Sequence, residues 1–394
     1  MDAPLPSSHP MSTTRPALFQ PIKVGDIELK HRVVLAPSTR FRATEDGTPT
    51  PQMIEYYAQR AHAPGTLLIA EPAFIAQKAS GFIHVPGIYS PEQIAAWKQI
   101  TDAVHAKGSF IFLQLWALGR TAYPEHLAPG DPFVSSSPKT ISTPFHRGST
   151  PRTADVPRQM TIDEIKEYSQ LFATAASNAV HKAGFDGVEV HGANGYLPEQ
   201  FLWETVNERT DEYGGSIENR ARFVLEFLEA IAAAVGEQKT AIRLSPWRHR
   251  YQSDSSMTDP KPTYSYLVKE IRDRHPNFGY LHVIEDYTAP EGIEPASTDF
   301  IREIWGDRPL ISAGGYSDDR DSGFRVAEEK GSIIAYSKAF IANPDLPCRL
   351  FHGIPLINGD SGKWWIYGTS DPTGYTDYPA HDYSSLKRAV AAGA

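Results

Sequence analysis

Eight short apolar runs, each leading through a loop into a helical pattern, constrain this 394-residue chain more than any other feature. They occupy residues 32–36, 66–70, 110–115, 187–191, 240–244, 280–284, 309–313 and 332–336. Near-continuous hydrophobicity, rather than alternation, marks strands covered on both faces, as in parallel sheets. Helical patterns follow at 51–61, 91–106, 162–183, 218–235, 264–274, 298–305, 320–330 and 344–351. Their ends carry recognisable caps. Ser90 precedes Pro91 with Glu92 and Gln93 in the first turn, Thr161 stands three residues before Glu164, Ser216 opens one helix and Gly236 closes it. Eightfold alternation of strand and helix favours closure into a single α/β domain, a (β/α)8 TIM barrel. The competing open, doubly wound sheet would want a Gly-x-Gly-x-x-Gly turn after an early strand, and the chain has none.

Residues 1–16, rich in Pro and Ser, read as a disordered lead-in, and residues 17–394 as the barrel. Two stretches exceed plain strand–helix units. Residues 119–159, dense in Pro, Ser, Thr and Gly, are expected to form a surface hairpin or lid beside the barrel mouth. The tail from Asn358 is too rich in Trp and Tyr for disorder. A net charge of −9 argues against a nucleic-acid surface. No apolar run approaches a membrane span and no signal peptide is recognisable, so the expected location is the cytoplasm. The expected partner is a small-molecule substrate, with the chain a monomer or homodimer. Cys348 stands alone, which excludes an internal disulfide and a cysteine-rich metal site. No metal is expected.

In such a barrel the chemistry collects where strands run into loops at their C-terminal ends. The residues there are Pro37, Ser38, Thr39 and Arg40 after the first strand, Glu71 and Pro72 after the second, and Gln114 and Trp116 in the third. The fourth strand runs into His191-Gly192-Ala193-Asn194-Gly195-Tyr196, the seventh into Gly314-Gly315, and the eighth into Ser337-Lys338. His191 and Asn194 can both donate to one oxygen, which would stabilise charge developing on a carbonyl, and Tyr196 has a hydroxyl able to deliver a proton. Zinc is a poor rival, because no second His or Cys stands at ligand spacing. The glycines and Lys338 suit a phosphate. Arg243 lies inside the fifth strand. A buried arginine needs an electron-rich partner, and the residues alone leave open whether that is a ligand or Glu189.

These segments resemble the old yellow enzyme family. The resemblance spans Ala17 to Asp382. It rests on Leu18-Phe19-Gln20-Pro21, Ala36-Pro37-Ser38-Thr39-Arg40, Leu113-Gln114-Leu115-Trp116 and His191-Gly192-Ala193-Asn194-Gly195-Tyr196. It rests further on Arg209-Thr210-Asp211-Glu212-Tyr213-Gly214-Gly215-Ser216 through Arg220, Phe340-Ile341-Ala342-Asn343-Pro344-Asp345, and Gly374-Tyr375-Thr376-Asp377-Tyr378-Pro379. The resemblance implies FMN, reduced by NADPH or NADH, and ping-pong reduction of an activated C=C bond in an enone or enal. It implies that Pro37, Ser38, Thr39, Pro72, Gln114 and Arg243 contact the flavin, and that Gly314, Gly315, Ser337 and Lys338 grip its phosphate. His191 and Asn194 would hold the substrate carbonyl, Tyr196 would protonate the α-carbon, and Trp116, Tyr367 and Phe82 would shape the pocket.

The chain departs from that pattern in places. Ser337-Lys338 replaces a usual Gly-Arg, losing the bidentate fork and setting a serine where φ > 0 is less tolerated. Pro72 replaces a small residue that offers its N–H to the flavin. Glu285-Asp286-Tyr287 and Trp247-Arg248-His249-Arg250 are unusual as well. These changes admit an alternative: a specialised biosynthetic enzyme using the same pocket for isomerisation or redox-neutral carbon–carbon bond chemistry, with little need of flavin.

Overall fold

In the computed structural model, which describes residues 15–141, 155–247, 257–287, 289 and 294–384, the chain closes an eight-stranded parallel barrel. A hairpin precedes it, β1 (Ile22–Val24) pairing antiparallel with β2 (Ile27–Leu29). The barrel strands are β3 (Val33–Leu35), β4 (Leu67–Phe74) and β5 (Phe110–Trp116), then β8 (Gly187–Gly192), β9 (Thr240–Leu244), β10 (Tyr280–Ile284), β11 (Leu310–Ala313) and β12 (Ile333–Tyr336). They pair in chain order, and β12 returns to β3. All eight expected strands are present. The second is longer than its apolar run, because a bulge carries it past Glu71 and Pro72: Ala70 pairs with Leu113, and pairing resumes at Ala73 with Leu115. Proline has no N–H for a ladder, and a bulge removes the need for one.

The helices around the barrel are α1 (Pro51–Arg60), α2 (Pro91–His105), α3 (Ile162–Ser177), α4 (Leu197–Leu202), α5 (Ile217–Val235), α6 (Lys261–Arg274), α7 (Asp299–Trp305), α8 (Arg320–Lys330), α9 (Lys338–Ala342) and α10 (Leu346–His352). The expected capping boxes form at Ser90 with Gln93 and at Thr161 with Glu164. Among the strands and α-helices, the opening hairpin, α4 and α9 were not foreseen. The predicted helix to residue 183 ends at Ser177 and continues as one π turn, Asn178–Lys182.

Within the 119–159 excursion, β6 (Val134–Ser135) and β7 (Arg158–Gln159) pair in parallel. This pair is not the expected hairpin, since hairpin strands must be antiparallel, and it does not bear on the lid, the other expectation for this stretch. Residues 142–154 of the excursion, 1–14 of the lead-in and Arg248-His249-Arg250 lie outside the described residues.

Strand parity sorts side chains into two layers. Val33, Leu35, Leu68, Ile111, Leu113, Val188, Val190, Ile242, Leu281 and Ile334 face outward onto the helices. Val34, Ala36, Leu67, Ile69, Phe112, Ala241, Tyr280, Ile311, Ala313, Ile333 and Ala335 point inward. The hairpin's Val24, Ile27 and Leu29 join this inner cluster and stopper the base. Its turn is tight. A Cβ on Gly25 would come within 2.0 Å of the Gln238 carbonyl oxygen. Among the described residues no helix is long and apolar enough to cross a membrane.

Candidate active site

The inward parity that fills the barrel with apolar residues continues one step further along each strand, and there it turns polar. Gln114 follows Phe112 on β5, Glu189 and His191 share the inward face of β8, Arg243 follows Ala241 on β9, and His282 follows Tyr280 on β10. Ladder register sets them side by side: Gln114 with Glu189, His191 with Arg243, and Arg243 with His282. Glu189 is fully buried and accepts from Gln114 Nε2 at 2.7 Å and from His282 Nδ1 at 2.8 Å. With its amide N–H committed, Gln114 keeps its oxygen for something else.

His191 is 4% exposed and its pKa lies well below the ordinary value, chiefly through burial and then through the charges of Arg243 and His282. It is therefore a neutral imidazole across the working range, able to donate an N–H but not to supply a proton. Its ring lies 4.6 Å from that of Tyr196, edge on, and stacks at 5.9 Å on Trp116. Tyr196 meets Trp116 edge to face at 4.8 Å. Phe74 stacks on the far side of Trp116 and Phe82 leans on it, so the wall beside His191 is aromatic.

Asn194 has φ of +59°, one of few non-glycine residues in the left-handed region, where asparagine is tolerated best. The turn is tied at three points. Asn194 N–H donates to Ser245 Oγ at 2.7 Å, Gly195 N–H to Glu199 Oε2 at 2.6 Å, and the Gly195 carbonyl accepts from Gln200 Nε2 at 2.9 Å. Tyr196 then caps α4.

Across the mouth, Ser38 and Ser337 share a hydrogen bond of 2.8 Å. Ser337 has φ of −98°, so the strain expected from serine there does not arise. Gly314 and Gly315 both have positive φ, and a Cβ on Gly314 would lie 2.8 Å from the Tyr287 ring. Lys338 is exposed and 3.6 Å from Asp318. Pro37 and Pro72 are buried, Pro72 inside the bulge, while Thr39 is half-buried. Tyr367 is 53% exposed and stacks on Phe41 at 4.1 Å.

Arg40, at the mouth in sequence, turns away. It is fully buried and donates to the carbonyls of Trp364 at 3.1 Å and Gly374 at 2.6 Å. Arg42 grips those of Thr369, Asp371 and Thr373, and Arg60 those of Ile341 and Tyr375. Sequence reasoning missed this clasp. It missed Glu199, Ser245 and Tyr264 too, although a glutamate at the third helical position after Tyr196 is a recognisable N-terminal signal.

Gln114 Oε1, His191 Nδ1 and Asn194 Oδ1 are buried without a hydrogen-bond partner in the protein. Buried polar atoms are rarely left so. Gln114 and His191 stand on the inward faces of adjacent strands, with Asn194 on the loop that follows, and these open atoms fit a planar group carrying both donors and acceptors, as the FMN ring does.

The profile of the NADH:flavin oxidoreductase / NADH oxidase family matches residues 17–356. The chain is 44% identical over 371 residues to chanoclavine-I aldehyde reductase of Penicillium roqueforti, covering 92% of this chain and 95% of that one. It is 42% identical over 399 residues to a protein of Epichloe festucae named a probable inactive reductase, covering 97% and 100%. Among solved structures, Old Yellow Enzyme from Pichia sp. AKU4542 superposes with a TM-score of 0.83 at 37% identity, over 93% and 94% of the two chains. The chain belongs to the NADH:flavin oxidoreductase / NADH oxidase family, the FMN-dependent oxidoreductases of the old yellow enzyme type.

Proposed function

We propose that this chain reduces the activated C=C bond of an α,β-unsaturated carbonyl compound, with NADPH or NADH as reductant. The observation that carries this reading is the trio on one loop. A neutral histidine keeps a buried ring nitrogen without a protein partner, an asparagine on the same loop brings a side-chain amide, and the ring of a tyrosine packs edge on against the histidine. When bound, FMN would supply the hydride chemistry. Gln114 and Arg243 would hold its ring, with Pro37, Ser38, Thr39 and Pro72 contacting it. Gly314, Gly315, Ser337 and Lys338 would hold its phosphate.

The protein's own groups do the rest. His191 and Asn194 direct hydrogen bonds to the substrate carbonyl oxygen. These bonds strengthen as negative charge moves onto that oxygen, so they favour the transition state over the ground state. His191 stays neutral while donating, which leaves Tyr196 as the proton source for the α-carbon. Trp116, Phe74 and Phe82 form a dry wall that keeps water from competing for that proton. Tyr367, stacked on Phe41, borders the entrance.

The test is the visible spectrum of the purified protein, with and without added FMN, followed by NADPH and then 2-cyclohexenone. Bound flavin that bleaches with NADPH and recovers on adding the enone is the expected result. A protein that takes up no FMN would overturn the reading and turn attention to redox-neutral chemistry in the same pocket.

A further inference from the structure

Behind the Asn194 turn lies a carboxylate that the chemistry above does not use. Glu199 on α4 is fully buried and accepts three hydrogen bonds. Gly195 N–H reaches Oε2 at 2.6 Å, while Ser245 Oγ at 2.8 Å and Tyr264 Oη at 2.6 Å both converge on Oε1. Ser245 accepts from Asn194 N–H, so its hydroxyl proton is directed at Glu199. A chain of donors therefore runs from the Asn194 backbone through Ser245 to the carboxylate, and its direction is fixed only when the carboxylate is an acceptor alone.

We infer that Glu199 is a positioning residue, whose ionised carboxylate holds the Asn194–Gly195 turn so that the Asn194 side chain faces the substrate carbonyl. The inference rests on the reading of Asn194 as a carbonyl donor. Protonation puts an O–H where a hydroxyl already points. Ser245 or Tyr264 must then rotate, and the tie to Asn194 N–H slackens.

The group is poised for this. Burial pushes Glu199 up to about 7, against the pull of the hydrogen bonds from Tyr264, Gly195 and Ser245. Tyr264 on α6 is the titratable group that bonds it, and Glu204, just beyond α4, adds its charge to Tyr264. Ser245 at the end of β9 and Gly195 on the preceding loop contribute dipoles without charge. No ion pair to Glu199 forms among the described residues.

The experiment uses the FMN-loaded, full-length protein labelled with [15N]asparagine. The Asn194 amide resonance and the affinity for 2-cyclohexenone are followed between about pH 5.5 and 8.5. In the wild type the amide should titrate near neutrality, and enone affinity should fall about three- to tenfold on the acid side, the worth of one hydrogen bond. In Glu199→Gln both should become independent of pH, with affinity at the acid-side level. Tyr264→Phe removes a donor that holds the charge, so its inflection should move to higher pH. A pH-invariant Asn194 amide in the wild type, or an unchanged titration in Glu199→Gln, would overturn the inference. Should Glu199→Gln fail to fold, an unmoved inflection in Tyr264→Phe does the same. An intact Asn194 titration with no enone binding at any pH would support the positioning role and sink the ene-reductase reading instead.

Discussion

The two sides of the barrel mouth are held by opposite chemistry. On the side of the Asn194 turn, one buried carboxylate collects neutral donors, a backbone N–H from the turn itself and two hydroxyls from the end of β9 and from α6. On the side of the tail, three arginines at positions 40, 42 and 60 reach more than 280 residues along the chain to backbone carbonyls. The tail's Tyr375 stacks on Tyr56 at 4.3 Å, and Arg40 lies 4.9 Å from the Tyr375 ring. Both sides contain a carboxylate pushed up to about 7 by burial: Glu199 and, beneath the tail, Glu71. Glu71 stays that high despite its arginine neighbours because Arg40 gives it only a backbone N–H and turns its guanidinium to carbonyls. The lesson is a division of labour. In the proposed reaction the carboxylate network sets the direction of side chains, whereas the arginine clasp only has to keep the tail in place.

That contrast can be broken in order of expected effect. Tyr196→Phe should slow enone reduction by about 10²–10⁴-fold while leaving flavin reduction by NADPH and the thermal midpoint near wild type. Loss of both half-reactions would show that the turn does more than deliver a proton. Arg40→Ala should do the reverse, costing about 3 kcal/mol of stability through orphaned buried carbonyls, read as a lower urea midpoint, with no rescue by lysine. An unchanged midpoint would mean that the tail holds without its clasp.

Glu71→Gln tests the carboxylate under the tail. The native state binds its proton more tightly than the unfolded chain does, so this group's contribution is fully present at low pH and is lost as pH rises from about 4.5 through about 7. The variant should match wild type near pH 5 and exceed its stability at pH 8 by up to about 3 kcal/mol. His191→Ala and Asn194→Ala should each weaken binding of a phenol, whose oxygen mimics the enolate, by about tenfold. Equal phenol affinity in both variants and wild type would contradict the paired donors. Lys338→Ala belongs to neither side and should lower FMN affinity only severalfold, because this lysine is exposed and already close to Asp318.

Much of this architecture could be read in advance. The strands announce themselves because burial on both faces leaves no polar residue in runs such as Leu67-Leu68-Ile69-Ala70. His191, Asn194 and Tyr196 could be grouped because one strand end carries all three. Elements of low local signal stayed hidden. The hairpin strands are three residues each, and α9 is five. The direction of the β6–β7 pair depends on a connection that composition does not encode. The arginine clasp was invisible for a different reason. Its acceptors are backbone carbonyls, which every residue possesses, so no residue type in the tail marks them. Glu199 sat three residues beyond Tyr196 yet passed as an ordinary helix-opening glutamate, since its importance comes from Ser245 and Tyr264, distant in sequence.

The apolar stopper formed by Val24, Ile27 and Leu29 leaves the barrel with a blind end. In the proposed reaction, reductant and substrate must then use the same doorway at the mouth. Neither can wait inside while the other departs by the base. Raising the concentration of either one should eventually slow turnover, each crowding the other out of a berth that has room for a single occupant.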